Sequence, residues 1–229
     1  MFNEHLYHGT GRERGDRMLS NQMMEVSVGE HHWLGDGSYF FDEQLYAYKW
    51  ISDMYKNKFR QQPQNKNLIE NYSILDAHIK VEKKRLLDLS KAEYKMMFDQ
   101  VYTLMHKHQE YSNTFDKVAI ADGIVINYMF NNLGFDEDFD VVSALFIQNS
   151  RNYSAVGTRL GYMPQKQFCI KNLNVIDVIE EVNYIDSIPS FQQQLSNLYY
   201  NGAEQSFNKV KRPKRRGTHI PKKGYVVIK

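Results

Sequence analysis

Tyr7-His8-Gly9-Thr10 and, about thirty residues later, Gly35-Asp36-Gly37-Ser38-Tyr39-Phe40-Phe41 are the stretches that decide how this chain is read. The first continues the apolar pair Leu6-Tyr7 into His8-Gly9-Thr10-Gly11, the pattern of a strand ending in a turn that needs a permissive backbone. In the second, a glycine-bounded turn delivers the chain into an aromatic strand. Between them, Met18, Leu19 and Met23 are spaced for one face of a helix over residues 13–24. After them, Asp42 suits an N-cap, and Ala47, Trp50, Ile51 and Met54 give residues 43–59 helical spacing.

Further out, the polar run 60–67 reads as a surface loop. Residues 74–81 and 86–89 read as strands, with Ser90 as N-cap of a helix over 91–108. Residues 122–130 fit either a helix or a buried strand, and periodicity does not separate the two. Strands are expected at 141–147, at Gln167-Phe168-Cys169-Ile170-Lys171 and at 174–182, followed by a helix around 191–199. The connection 148–164 is rich in Ser, Asn, Tyr and Gly. No internal repeat is visible.

The 229 residues hold 29 Lys plus Arg against 27 Asp plus Glu, and the near-balance is a cancellation. Nine of the bases, and no acid, fall at Lys209, Lys211, Arg212, Lys214, Arg215, Arg216, Lys222, Lys223 and Lys229, leaving 20 bases against 27 acids in residues 1–208. That asymmetry predicts a folded body, 1–208, with a basic extension, 209–229, suited to a polyanionic partner. Tyr225-Val226-Val227-Ile228 reads as a terminal strand within the extension.

A hydrophobic fraction of 42% supports a sizeable core. No run reaches the roughly 18 apolar residues of a membrane span, and Met1-Phe2-Asn3-Glu4-His5 lacks the charged and apolar regions of a secretory leader. A cytoplasmic protein without a membrane partner is the expectation. Cys169 is the sole cysteine, and its apolar setting favours a buried, inert thiol.

Taken with Gln167 opening a late strand, the two glycine-aromatic stretches resemble the ADP-ribosyltransferase superfamily, nearest to its His-Tyr-Glu, poly(ADP-ribose) polymerase-like branch. The resemblance spans most of the body and excludes the extension. It implies an α+β fold with split antiparallel sheets around an NAD cleft, flanked by helices. It also implies that His8 hydrogen-bonds the ribose on the adenosine side, that the Gly9 backbone pairs with the nicotinamide carboxamide, and that Tyr39 stacks on the nicotinamide ring. Thr10 adjoins these as part of the cofactor-binding set. Trp50 stands where the family often has a second aromatic wall, and Gln167 occupies the third catalytic position. The implied chemistry is heterolysis of the nicotinamide–ribose bond, with positive charge developing on the ribose and capture by a nucleophile. No metal is required.

Gln167 departs from the family's glutamate, and a carboxamide neither accepts a proton as a base nor supplies full charge. The departure favours a single transfer over polymer formation. Gln165 faces the same side of the strand and competes for the position. Arg151, Tyr153, Ser154 and Arg159 lie where related enzymes recognise the acceptor. Arg12, Arg14 and Arg17, with the loop arginines, would offset the acidic body toward an anionic co-substrate.

Plainer readings stand beside these. His8 alone is an ordinary strand-end histidine, Tyr39-Phe40-Phe41 alone a core strand, and Trp50 fits core or cleft equally. His31-His32 and His106-Lys107-His108 lack ligand spacing for a metal, and Asp136-Glu137-Asp138-Phe139-Asp140 lacks the pattern of a calcium loop.

The leading expectation is a mono-ADP-ribosyltransferase modifying a macromolecule, preferably RNA, as the toxin of a bacterial toxin–antitoxin or anti-phage system, with Lys211, Arg212, Lys214, Arg215 and Arg216 contacting phosphates. A protein acceptor is one alternative. An inactive nucleic-acid-binding or antitoxin-binding module on the same fold is another, and RNA 2′-phosphotransfer a third.

Overall fold

Strand alternation along Phe2–Gly11 organises the molecule: even-numbered side chains serve one face of a sheet and odd-numbered ones the other. The computed structural model describes residues 1–29, 32–107, 120–146 and 165–196. Their elements run β1 (Phe2–Gly11), α1 (Arg12–Asn21), β2 (Ser38–Phe41), α2 (Gln44–Phe59), α3 (Asn65–Asn71), β3 (Tyr72–Val81) and β4 (Leu86–Asp88). There follow α4 (Ala92–Lys107), α5 (Asp122–Asn132), α6 (Phe135–Asp138), β5 (Val141–Phe146), β6 (Gln165–Ile170), β7 (Ile176–Glu181) and α7 (Ile188–Leu195).

The fold is α+β. Where two antiparallel sheets were expected, hydrogen bonding links all seven strands in one mixed sheet, ordered β4-β5-β6-β2-β1-β3-β7. The β4–β5 pair is parallel and the rest are antiparallel. At its middle the sheet is held by one rung. β1 and β3 pair along all ten residues of each, from Phe2↔Val81 to Gly11↔Tyr72, whereas β1 and β2 meet only at Tyr7↔Phe41. Beyond that rung the two strands fork.

Apolar clusters cover both faces of the sheet. On one face Leu6, Phe40, Leu75, Phe168 and Ile170 join Met18 of α1 in a cluster that crosses the fork. The other face carries two separate clusters, one where α2 lays Tyr46 and Ile51 on Ile74, the other where α5 lays Ile126 beside Leu34 and Cys169.

Several local expectations change. The first helix closes at Asn21, with Gln22 in the left-handed conformation. α2 takes Glu43 as its N-cap without a side-chain bond, so Asp42 does not cap it. The polar run 60–67 is not loop throughout, since α3 begins at Asn65 and buries Leu68. The Ser90 hydroxyl does not cap α4; it turns back to donate to Asp88 Oδ1 at 2.6 Å. Residues 122–130 are helical, because Val125, Ile126, Met129 and Phe130 bury one face. In the acidic run 136–140, Asp140 is buried, receives Arg85 Nε and Nη2, and accepts Asn172 Nδ2 at 2.9 Å. No helix among the described residues is long and apolar enough to cross a membrane. The terminal strand expected at 225–228 and the extension lie outside the described residues.

Candidate active site in the fork of the sheet

A pocket of about 300 Å³ opens where β1 and β2 part, within the range of small-molecule sites. It is lined from both faces of the sheet: His8, Gly9 and Thr10 from β1, Tyr39 and Phe41 from β2, and Gln167 from β6. α2 contributes Trp50 and Met54, and Arg14 comes from α1. The segment after α1 adds Glu25, Ser27, His32 and Trp33.

His8 bridges the fork. Its Nδ1 donates to the Tyr39 carbonyl at 2.6 Å, taking an acceptor that would face Gly9 if the β1–β2 ladder continued. The other ring nitrogen, Nε2, is buried without a hydrogen-bond partner among the described residues. With Nδ1 protonated, Nε2 carries a lone pair. Burial pushes the His8 pKa down to about 4, against the pull of the Tyr39 carbonyl, so the ring is neutral at physiological pH. Nε2 is thus a neutral acceptor left unpaired in a residue that lines the pocket.

Tyr39 presents its ring to the pocket while its hydroxyl is fully engaged. The hydroxyl donates to Gly35 O at 2.6 Å and accepts from Leu34 N at 2.9 Å. Burial lifts its pKa well above the phenol range, so Tyr39 is a fixed surface and not a proton carrier. The loop behind it is anchored in turn. Lys171 Nζ donates to Leu34 O at 2.8 Å and to Asp36 O, and Asn127 Oδ1 accepts from Asp36 N at 2.7 Å. Gly35 sits at φ +72°, and a Cβ there would fall 2.2 Å from Asn127 Oδ1.

Gly9 has a structural reason for lacking a side chain besides the one read from the sequence. A Cβ would lie 2.8 Å from both Ala47 O and Ile51 Cγ2, so glycine lets α2 settle directly on β1. That contact brings Trp50 to the pocket. Trp50 is 51% exposed and lines the pocket, so it is not a core residue. Trp33, also 51% exposed, flanks the pocket with its ring tilted on Phe146 at 4.8 Å.

Gln167 and Gln165 are both buried on the same face of β6, but only Gln167 is among the described residues lining the pocket. Gln167 stands in register between Phe41 of β2 and Ala144 of β5. Of the three N-terminal arginines, Arg14 alone reaches the pocket. It donates from Nε to Glu25 Oε2 at 2.7 Å, while Arg17 Nε takes Oε1 at 3.1 Å. Burial works against ionisation of Glu25, yet the bonds from Arg17 and Arg14 hold its pKa below the usual carboxylate range. Arg12 instead ties α1 to the carbonyls of Ile69 and Tyr72 and to Glu181.

Arg151, Tyr153, Ser154 and Arg159, and the extension residues Lys211, Arg212, Lys214, Arg215 and Arg216, lie outside the described residues. Cys169 is fully buried, and burial raises its thiol pKa, as expected for an inert cysteine. Among the described residues no cluster of three or more His, Cys, Asp or Glu is arranged to hold a metal. Glu25, Ser27, His32 and Trp33 were missed as site residues. They lie on an irregular segment without periodicity, and the only hint was Trp33 adjoining the glycine turn.

No known family's sequence profile matches the chain, and no solved structure matches it. One relative does, the Uncharacterized protein MJ0359 of Methanocaldococcus jannaschii, 36% identical over 200 residues that cover 81% of this chain and 90% of the relative. Likeness of that depth across nearly the whole of both proteins means that the chain belongs to the MJ0359 family.

Proposed function

We propose that the chain is an NAD-dependent mono-ADP-ribosyltransferase built on the ADP-ribosyltransferase fold, with the fork of the sheet as its NAD cleft. The observation that carries this reading is the buried, unpartnered Nε2 of His8 beside the fixed ring of Tyr39. A ribose hydroxyl meets the first and a nicotinamide ring the second, and offset stacking on such a ring is worth about 0.5–1.5 kcal/mol beyond burial. NAD, as co-substrate, supplies a ribose whose bond to nicotinamide is labile to heterolysis. The residues present fit it. Gly9 stands opposite Tyr39 across the fork, its backbone available to a carboxamide; Trp50 walls the mouth; Arg14 brings positive charge for a diphosphate. Gln167 orients a hydroxyl by donating and accepting hydrogen bonds, without acting as a base.

The preferred acceptor is RNA, which the basic residues 209–229 attract through phosphate contacts. A role as the toxin of a toxin–antitoxin or anti-phage system, acting in the cytoplasm under a neutralising partner, is consistent with a single transfer to nucleic acid. The test is nicotinamide release from NAD by the purified full chain, with labelled NAD followed into separate RNA and protein pools. The expected result is release by wild type, label on RNA, and loss of release of about 100-fold or more in Tyr39→Ala and His8→Ala. No release with any acceptor, while RNA is still bound, would leave a binding module on this fold. Label confined to protein would remove RNA as the acceptor.

A further inference from the structure

An acceptor hydroxyl entering the fork must lose a proton, and Gln167 cannot take it. The segment between α1 and β2 offers a path. Ser27 and His32 both line the pocket, with Ser27 Oγ 3.0 Å from His32 Nε2, inside the reach of proton transfer. On the far side of the ring Nδ1 is buried without a hydrogen-bond partner, and Asp36 Oδ1 stands 4.0 Å away.

Each member is held from outside. Ser27 exchanges two backbone bonds with Gly37, 2.8 and 3.0 Å. Asp36 accepts Gly29 N on Oδ1 at 3.1 Å and donates its own N–H to Asn127. The His32 ring lies against Tyr39 with centroids 5.5 Å apart, which sets the arrangement beside the ring platform of the site.

Other proton acceptors among the described lining residues are occupied or unsuited. Glu25 is committed to Arg14 and Arg17. Burial leaves His8 too weak a base to hold a proton near neutrality, and its lone pair is assigned to the ribose.

We infer that Ser27, His32 and Asp36 form a proton relay that activates the acceptor hydroxyl; the inference rests on the transferase reading above. As the acceptor oxygen bonds to ribose C1′, the C1′–nicotinamide bond breaks and its electron pair leaves with neutral nicotinamide. The acceptor's proton passes to Ser27 Oγ while the Ser27 proton moves to His32 Nε2, and the imidazolium later gives it to solvent. Ser27 touches the acceptor and is catalytic. His32 and Asp36 act through it as positioning and proton-holding residues, Asp36 steadying the imidazolium by charge.

Two measurements test this. The first reads the protein without NAD, by nitrogen NMR of the histidine rings. His32 is expected as the neutral Nδ1–H tautomer with Nε2 accepting, and Ser27→Ala should shift Nε2; an Nε2–H tautomer overturns the relay whatever the fate of the NAD reading. The second compares methanol with azide as small acceptors, since methanol must surrender a proton and azide has none. In Ser27→Ala and His32→Gln, methanolysis of NAD should fall by about 100-fold or more while azidolysis stays within a few-fold of wild type. Equal loss of both reactions, or loss of neither, overturns the relay while leaving the transferase reading intact. A stable ADP-ribose adduct on Ser27, seen by mass spectrometry, makes Ser27 the acceptor and overturns it too. Absence of nicotinamide release by wild type in azide overturns the transferase reading and the relay with it.

Discussion

His8 ties the two parted strands of the fork together through the Tyr39 carbonyl. Its place after an apolar pair and before glycine reads as a strand-end histidine, whereas β1 runs on through Gly11 in register with β3; the resemblance supplied a ribose-binding role. The orphaned Nε2 was not legible, because it depends on the Tyr39 carbonyl, thirty-one residues away, engaging Nδ1. The same burial has a measurable cost in acid. His8 has a folded pKa of about 4, below the ordinary 6.5, so between those values the unfolded chain binds more protons. The stability tied to the neutral ring is therefore intact above about pH 6.5 and is lost as pH falls through 4, by up to about 3 kcal/mol. Urea titrations at neutral pH and near pH 4 should show wild type losing more stability than His8→Gln over that range. Equal losses would mean that His8 is not the group responsible.

At the scale of elements, α2 was readable from helical spacing, and the strands around the fork from apolar and aromatic runs beside glycine turns. The loop that carries Tyr39 into place was not, because its anchors come from distant elements: Asn127 of α5, and Lys171 just beyond β6. Lys171 is largely buried, burial lowers its pKa, and its ammonium lies over the Phe130 ring at 5.1 Å. Lys171→Met keeps the length but leaves the Leu34 and Asp36 carbonyls without that donor. The expected destabilisation is about 1–3 kcal/mol for each carbonyl left unpaired, read by chemical denaturation. Nicotinamide release should fall with it, because the Tyr39 hydroxyl is bonded into the same loop. A variant as stable and as active as wild type would show the loop to be held by its other bonds alone.

At the scale of the whole molecule, charge divides the chain where the hydrophobic pattern does not. On the proposed transferase reading, the 208 residues of the acidic body would admit an anionic co-substrate, which would make Arg14 in the pocket matter more than its single charge suggests. On the same reading the nine bases beyond residue 208 would attract a polyanionic acceptor. Deleting residues after Phe207 should weaken RNA modification severalfold at physiological salt while sparing nicotinamide release, and raising salt should make wild type resemble the deletion. Equal loss of both activities would assign the extension a structural role.

The sheet was foreseen as two halves and is one, yet the lone rung at Tyr7↔Phe41 keeps something of the division. Mechanically, a ribbon joined at one stitch is compliant across that stitch and stiff along each half. The cluster under α2 joins Phe41 of β2 to Ile74 of β3, so apolar packing spans the fork where the hydrogen-bond ladder does not. A molecule that grips His8 on one lip and Gln167 beyond the other becomes the missing stitch, so that filling the cleft and tightening the sheet are one event.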